Sequence, residues 1–183
     1  MTTTASPAVA VLPAPLQGYA LGLERSPARR QARDLILGFL SEQYDDLREH
    51  TARVADLAGP VASRLGLSAD ERADVVRAAE LHDIGKVGVP QQVLQKAGPL
   101  ADSEWEIVRQ HTIVGEQMLS AVPGLHNVAR LVRSSHERWD GFGYPDGLVG
   151  EMIPLGSRVV FACDAFDAMT AARPWLRWRN DPA

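Results

Sequence analysis

Apolar residues recur every three or four positions from Asp34 onward, which is the period of amphipathic α-helices. No long segment alternates apolar and polar residues with the period of two that a half-buried strand requires. The apolar stripes run through Asp46, His50, Val54, Leu57, Val61 and Leu65; Val75, Ala79 and His82; Ile107, His111, Val114 and Met118; Leu125, Ala129, Val132 and His136; and Val160, Asp164 and Ala168. This pattern predicts an all-α fold.

Capping residues, glycines and prolines mark where the predicted helices begin and end. Ser68 and Glu71 form the Ser-x-x-Glu pattern of a capping box at the start of the second helix. The other expected boundaries are helix ends at Gly66 and near Ile84-Gly85, a helix capped by Asp102 or Ser103, a turn at Pro123-Gly124, a glycine-rich loop over 139–150 and a last helix over about 156–171.

Residues 1–31 differ from the rest of the chain because Pro7, Pro13, Pro15 and Pro27 interrupt a run of small residues. Proline removes helical hydrogen bonds, and too little contiguous apolar surface is present to offset the entropy of ordering. This segment is therefore expected to be a mobile tail, with a single domain over residues 32–183. A chain of 183 residues is long enough for that domain to bury a full-sized core.

Composition narrows the classes of function. With 19 basic and 23 acidic residues, the chain has a net charge of −4, which argues against a nucleic-acid polymer as partner. Its one cysteine, Cys163, excludes an intramolecular disulfide framework and is expected to be a small buried hydrophobe. No apolar run approaches the ~20 residues of a membrane span, and the first residues lack a basic signal-peptide region. A soluble, cytoplasmic protein is expected.

The candidate chemistry lies on the inner faces of the helices, where ionisable residues replace apolar ones. A single buried histidine is ordinary in a core. Several buried histidines on separate helices need a partner that binds their polar groups together, because desolvating them all costs several kcal/mol. A metal centre provides it. The inward-facing residues are His50, His82, His111, His136 and Asp164, with Asp83 beside His82, whereas His126 lies off the stripes near a turn.

Imidazole and carboxylate donors suit Mn, Fe, Zn or Ni better than soft-thiolate metals or Ca and Mg cages. The candidate ligands exceed what one tetrahedral ion requires. A carboxylate such as Asp83 can bridge two ions roughly 3.5–4 Å apart, which is the spacing of two-metal phosphoester hydrolases. In such a centre a bridging, metal-bound hydroxide attacks phosphorus in line.

Two long signatures identify a family. The first, His82-Asp83-Ile84-Gly85-Lys86, resembles that of the HD superfamily of metal-dependent phosphohydrolases. The second, HERWDGFGYPDG over 136–147, resembles that of its HD-GYP branch, as does the stretch from Ile153 through Thr170. The resemblance covers about residues 34–176.

The resemblance implies a compact helical HD-domain bundle with a Gly-rich GYP loop and a bi- or trinuclear centre, commonly of iron or manganese. It also implies hydrolysis of cyclic di-GMP to pGpG or GMP. The family's metal ligands fall on His50, His82, Asp83, His111, His136 and Asp164, with Asp46 as a further candidate. Asp83 and Lys86 are the implied catalytic residues, and the implied substrate-binding residues are Lys86, Gly143, Tyr144, Pro145 and Arg173.

The sequence departs from the family pattern at three places. Ser135 stands where a histidine is frequent, and Asp46 stands where trinuclear members have glutamate, so that two metal ions are expected in preference to three. Near the C-terminus a basic residue is replaced by Leu176, and the closing helices are expected to be shortened. Such shortening would expose apolar surface, which favours a homodimer or a regulatory protein partner.

These observations leave three hypotheses. The first is a cyclic di-GMP phosphodiesterase with two divalent ions, Fe or Mn. The second is a degenerate, non-catalytic module that binds nucleotide or protein in signalling, which Ser135 and Leu176 favour. The third is a phosphohydrolase of the same superfamily acting on a mononucleotide or a mixed cyclic dinucleotide, and the intact Gly143-Tyr144-Pro145 sequence argues against a mononucleotide.

Overall fold

The structure, a computed structural model, describes residues 47–170. Within that range it contains no β-strand, only one isolated bridge between Asp140 and Val149, so the predicted all-α class is confirmed. The helices are α1 (Leu47–Arg64), α2 (Ala69–Leu81), a 3₁₀ helix (Ile84–Gly88), α3 (Gln91–Leu94), α4 (Asp102–Arg109), α5 (His111–Ser120), α6 (His126–Arg133), a second 3₁₀ helix (Gly150–Met152) and α7 (Leu155–Thr170).

Helices α1 and α2 pack against each other and on α7, and α2 also packs on α6. Helix α5 fills the other side of the bundle, between α6 and the first 3₁₀ helix. Many core residues are small, which lets helix axes approach closely. The buried core includes Val54, Ala58, Ala62, Val75, Ala78, Ala79, Leu119, Val128, Val132, Val160 and Cys163. Cys163 is therefore buried, as predicted.

Local signals set the start of α2 as predicted. The Ser68 hydroxyl accepts the N–H of Glu71 at 3.3 Å, and the Glu71 carboxylate accepts the N–H of Ser68 at 2.8 Å. The prediction that Asp102 or Ser103 caps α4 is wrong, because Asp102 is already the first residue of the helix. The cap is Ala101, whose N–H donates to the Glu104 carboxylate at 2.7 Å.

Two predicted stripes are interrupted before they reach their histidines. The stripe through Ile107 and His111 is split at Gln110, whose N–H bonds back only three residues to the Ile107 carbonyl. Ile107 is consequently 40% exposed while His111 is 1% exposed. Helix α6 ends at Arg133, so His136 lies in the turn that follows the helix. These histidines are therefore directed by chain turns as well as by helical period.

A close backbone contact places the first 3₁₀ helix against α5. A Cβ atom on Gly85 would lie 1.8 Å from the His111 carbonyl oxygen and 2.6 Å from the Gly115 nitrogen, so only glycine fits. This contact brings Asp83 and Lys86 next to the first turn of α5.

Some predictions fall on residues that the structure does not describe. The mobile tail over 1–31, Asp46, Arg173 and Leu176 all lie outside residues 47–170. Within those described residues, no helix combines the length and apolar character needed to cross a bilayer.

Candidate metal centre

The predicted ligands within residues 47–170 converge although they come from separate elements. His50 lies in α1 and Asp164 in α7, and the His50 Nε2 atom is 3.1 Å from the Asp164 Oδ1 atom. His82 follows α2, and its Nε2 atom is 3.6 Å from Asp83 Oδ2. The Nε2 atom of His111, the first residue of α5, is 3.6 Å from Asp83 Oδ1. Asp83 therefore lies between histidines from both sides of the bundle.

Ligand atoms fall into two groups that share Asp83. The first group is His50, His82 and Asp83, and the second is Asp83, His111 and His136. Within each group the candidate donor atoms lie within 4.8 Å of one another. Such an arrangement suits two metal ions bridged by one carboxylate.

Buried polar atoms at the centre lack hydrogen-bond partners. In the part of the chain that the structure describes, they include His82 Nε2, Asp83 Oδ1, His111 Nε2 and His136 Nε2. Each such atom costs free energy when it is buried without a partner, and native proteins rarely tolerate several together. Metal ions would satisfy all of these atoms at once, so the residues present fit a divalent metal centre.

The backs of two imidazole rings are fixed by backbone carbonyls. His82 Nδ1 lies 2.8 Å from the Ala79 oxygen, and His111 Nδ1 lies 2.7 Å from the Val108 oxygen. Because a carbonyl can only accept, each Nδ1 carries the hydrogen and each Nε2 presents its lone pair to the centre.

Asp167 is a site residue that the sequence analysis missed. It is buried, its Oδ2 atom accepts a hydrogen bond from His50 Nδ1 at 2.7 Å, and its Oδ1 atom accepts one from Arg53 Nε at 2.6 Å. The available signal was the three-residue spacing from Asp164, which places both carboxylates on one face of α7. The four-residue stripe through Asp164 and Ala168 concealed it.

Asp83 and Asp164 are ionised near neutral pH. Burial by itself raises the pKa of Asp83, but the adjacent Lys86 ammonium is the largest opposing influence, and the pKa lies well below its usual range. Burial likewise opposes ionisation of Asp164, whose pKa is nevertheless lowered, chiefly by the hydrogen bond from His50.

Histidine protonation differs across the centre. Burial, with proximity to His136, lowers the pKa of His111 to about 3, and burial lowers the pKa of His136 to about 4. For His50, burial is outweighed by the hydrogen bond to Asp164 and the charge of Asp83, so its pKa is raised. Neutral imidazoles and ionised carboxylates are the forms that bind metals.

The predicted catalytic lysine and the predicted substrate-binding loop both adjoin the centre. Lys86 Nζ donates to Asp83 Oδ2 at 2.7 Å. The Tyr144 ring stacks on His136 with centroids 5.1 Å apart, and its centroid is 6.2 Å from that of His111. Arg109 lies over the same tyrosine ring, 5.7 Å from its centroid. The tyrosine therefore forms a wall beside the second group of donors.

Gly143 and Pro145 flank that tyrosine. A Cβ atom on Gly143 would lie 2.2 Å from the Arg138 nitrogen, so the loop can fold this tightly only with glycine. The Tyr144–Pro145 peptide bond is cis. Ser135 is buried in the turn after α6, where its hydroxyl donates to the carbonyl of Val132 in the last turn of that helix at 2.8 Å.

Comparison with known proteins finds a matching family and several similar proteins. The HD domain family matches residues 35–181 of this chain. A cyclic di-GMP phosphodiesterase of Thermotoga maritima is 43% identical over 143 residues, which are 76% of this chain and 39% of that protein. The cyclic di-GMP phosphodiesterase response regulator RpfG of Xanthomonas campestris is 43% identical over 134 residues, covering 72% of this chain and 35% of the relative.

A third relative is named for another cyclic dinucleotide. The 3′3′-cGAMP-specific phosphodiesterase 3 of Vibrio cholerae is 40% identical over 126 residues, covering 69% of this chain and 27% of that protein. This chain thus spans well under half the length of these relatives. From its two signatures, its helical fold and these matches, the chain belongs to the HD domain family and is a member of its HD-GYP branch.

Proposed function

We propose that this chain hydrolyses cyclic di-GMP to pGpG or GMP with a dinuclear metal centre. Two groups of candidate metal ligands share Asp83, and four of their buried nitrogen and oxygen atoms have no hydrogen-bond partner. This observation carries the proposal. A carboxylate common to two donor groups is the arrangement that two-metal hydrolysis of phosphoesters uses. The names of the relatives support cyclic dinucleotides as the substrate class.

In this proposal His50, His82 and Asp164 would hold one ion, His111 and His136 would hold the other, and Asp83 would be a ligand common to both. Two divalent ions bound there would neutralise phosphate charge and supply an activated water as the nucleophile. Nitrogen and carboxylate donors suit Fe and Mn, and the HD-GYP resemblance favours these two metals.

The chain's own residues then orient the substrate. The Lys86 ammonium lies beside Asp83, where it can donate to a phosphate oxygen at the edge of the centre. Tyr144 and the backbone at Gly143 and Pro145 form the wall against which a guanine base would lie. Arg173, which lies outside the described residues, remains the proposed second phosphate contact.

The test loads the protein anaerobically with Mn or Fe and follows cyclic di-GMP hydrolysis by chromatography, with the metal content counted on the same sample. Product formation at about two metals per chain is expected. A fully metal-loaded protein without product would contradict the proposal. A parallel panel of cyclic di-GMP, 3′3′-cGAMP and mononucleotides identifies the substrate, and preference for mononucleotides would contradict a cyclic dinucleotide substrate.

The second candidate is a non-catalytic module that binds nucleotide or protein. The observation that favours it is Ser135, whose hydroxyl bonds to the Val132 carbonyl and which brings no imidazole to the centre. Calorimetry distinguishes the two, because micromolar binding of cyclic di-GMP to metal-loaded protein without turnover would support the module.

The remaining expectations stay predictions. A homodimer or a regulatory partner is tested by light scattering during size-exclusion chromatography. The domain limits at residues 32 and 183 are tested by limited proteolysis.

A further inference from the structure

Glu137 is a buried carboxylate that neither the metal centre nor the proposed chemistry uses. It follows His136 directly and is 2% exposed. It precedes the loop over residues 138–149, here called the GYP loop. An ionised carboxylate in such a place is costly unless both of its oxygens accept hydrogen bonds.

Both oxygens of Glu137 are used by the far end of the GYP loop. The Oε1 atom accepts the backbone N–H of Asp146 at 2.7 Å, and the Oε2 atom accepts the backbone N–H of Leu148 at 2.9 Å. The loop therefore leaves the metal centre after His136, turns, and is fastened back onto the residue where it began. Hydrogen bonds to an ionised acceptor are about twice as strong as neutral ones.

Between these two attachment points the loop carries Tyr144. Its N–H donates to the His136 carbonyl at 3.1 Å, and its ring stacks on the His136 imidazole. Gly143 presses against the backbone of residues 137 and 138 with no room for a Cβ atom. The placement of the tyrosine ring thus depends on a loop that closes around the Glu137 carboxylate.

We propose that Glu137 is a positioning residue, whose carboxylate holds the Asp146 and Leu148 amides so that Tyr144 forms the substrate wall beside His136 and His111. This inference rests on the proposed function for the identity of the substrate. It predicts that loss of one Glu137 hydrogen bond loosens the wall while the metal donors stay in place.

The first variant is Glu137→Gln, which keeps the shape but turns one acceptor oxygen into an amide group that cannot accept a backbone N–H. The matched control is Glu151→Gln, the same chemical change at an exposed carboxylate. Glu137→Asp, which keeps the charge and shortens the reach, is the second variant should the first fail to fold. Each manganese-loaded protein is assayed with cyclic di-GMP and with bis(p-nitrophenyl) phosphate, a diester too small to need the wall.

We expect kcat/KM for cyclic di-GMP to fall by about 10- to 100-fold in Glu137→Gln, mainly through KM, because one hydrogen bond to a charged group is lost. We expect the small diester, the metal content and the control variant to change by less than about threefold. Equal losses for both substrates, or an unchanged KM for cyclic di-GMP, would overturn the proposal.

Hydrogen exchange separates this inference from the proposed function because it needs no substrate. The Asp146 and Leu148 amides should be protected in the wild-type protein and exchange faster in Glu137→Gln, while α5 is unaffected. Unchanged exchange at both amides would overturn the role of Glu137 even in an active enzyme. A wild-type protein that does not hydrolyse cyclic di-GMP would instead overturn the proposed function, and the exchange result would still decide the role of Glu137.

Discussion

The two halves of the metal centre are built from the same residue types but differ in what lies behind the imidazole rings. On one side, His50 is backed by the Asp167 carboxylate and faces Asp164, and its pKa is raised. On the other side, His111 is buried and His136 is half-buried, and both have lowered pKa values and buried, unpartnered Nε2 atoms. The surroundings of a histidine therefore decide whether its pKa is raised or lowered, since the residue type is the same in both halves.

The largest effect is expected where the two halves join. Replacing Asp83 with Ala removes the only carboxylate shared by the two donor groups found among the described residues. Metal content should fall, and turnover should drop by more than about 10³-fold, because several kcal/mol of charge stabilisation are lost. Metal analysis and hydrolysis are measured on the same samples, with exposed Asp56→Ala as the control. Full activity of Asp83→Ala would rule out the shared-carboxylate arrangement.

The next prediction concerns how the free energy of unfolding of the metal-free protein depends on pH, which should differ between the two halves. His111 and His136 stay neutral when folded, whereas the unfolded chain binds protons near pH 6.5, so stability should fall as the pH drops from 6.5 toward 4. Each group adds up to about 1.4 kcal/mol per pH unit. His50, with its raised pKa, acts in the opposite direction, since its contribution is present below pH 6.5 and is lost as the pH rises through its folded pKa.

Urea unfolding of the metal-free protein at several pH values measures this dependence. His136→Gln should flatten the loss of stability below pH 6.5. His50→Gln should instead remove the loss of stability that occurs as the pH rises above 6.5. Identical profiles for the two variants would contradict the difference between the halves.

A smaller effect is expected from the group behind His50. Asp167→Asn keeps the size but removes the charge that orients the imidazole, and such second-layer changes cost about 10- to 100-fold in metal affinity. Only one of two binding steps should weaken in a manganese titration followed by calorimetry. Equal weakening of both steps would show that the halves are not separate.

The smallest effect concerns the stack on His136. Tyr144→Phe should leave metal affinity unchanged because the ring remains, whereas Tyr144→Ala should weaken one binding step by about 0.5–1.5 kcal/mol. The same titration measures both variants. A loss in Tyr144→Phe as large as in Tyr144→Ala would assign the effect to the hydroxyl group.

Much of the fold was predictable because its signals are local. The capping box at Ser68, the end of α1 at Arg64 and the glycine-rich loop all follow from neighbouring residues. The predicted helices are wrong where a turn interrupts them, at Gln110 and after Arg133. The apolar residues keep the helical spacing across each turn, so the spacing does not reveal it. Asp167 was missed for a related reason, because its role appears only when α7 packs on α1.

The sequence by itself determined the all-α class and selected the histidines and aspartates that converge, because helical period and residue chemistry are properties of short segments. Tertiary structure alone decided that Asp83 lies between two donor groups, that His50 is backed by a carboxylate while His82 and His111 are backed by carbonyls, and that Glu137 closes the GYP loop. The physical reason is that protonation, pairing and bridging depend on distances between side chains far apart in the chain, and only packing sets those distances.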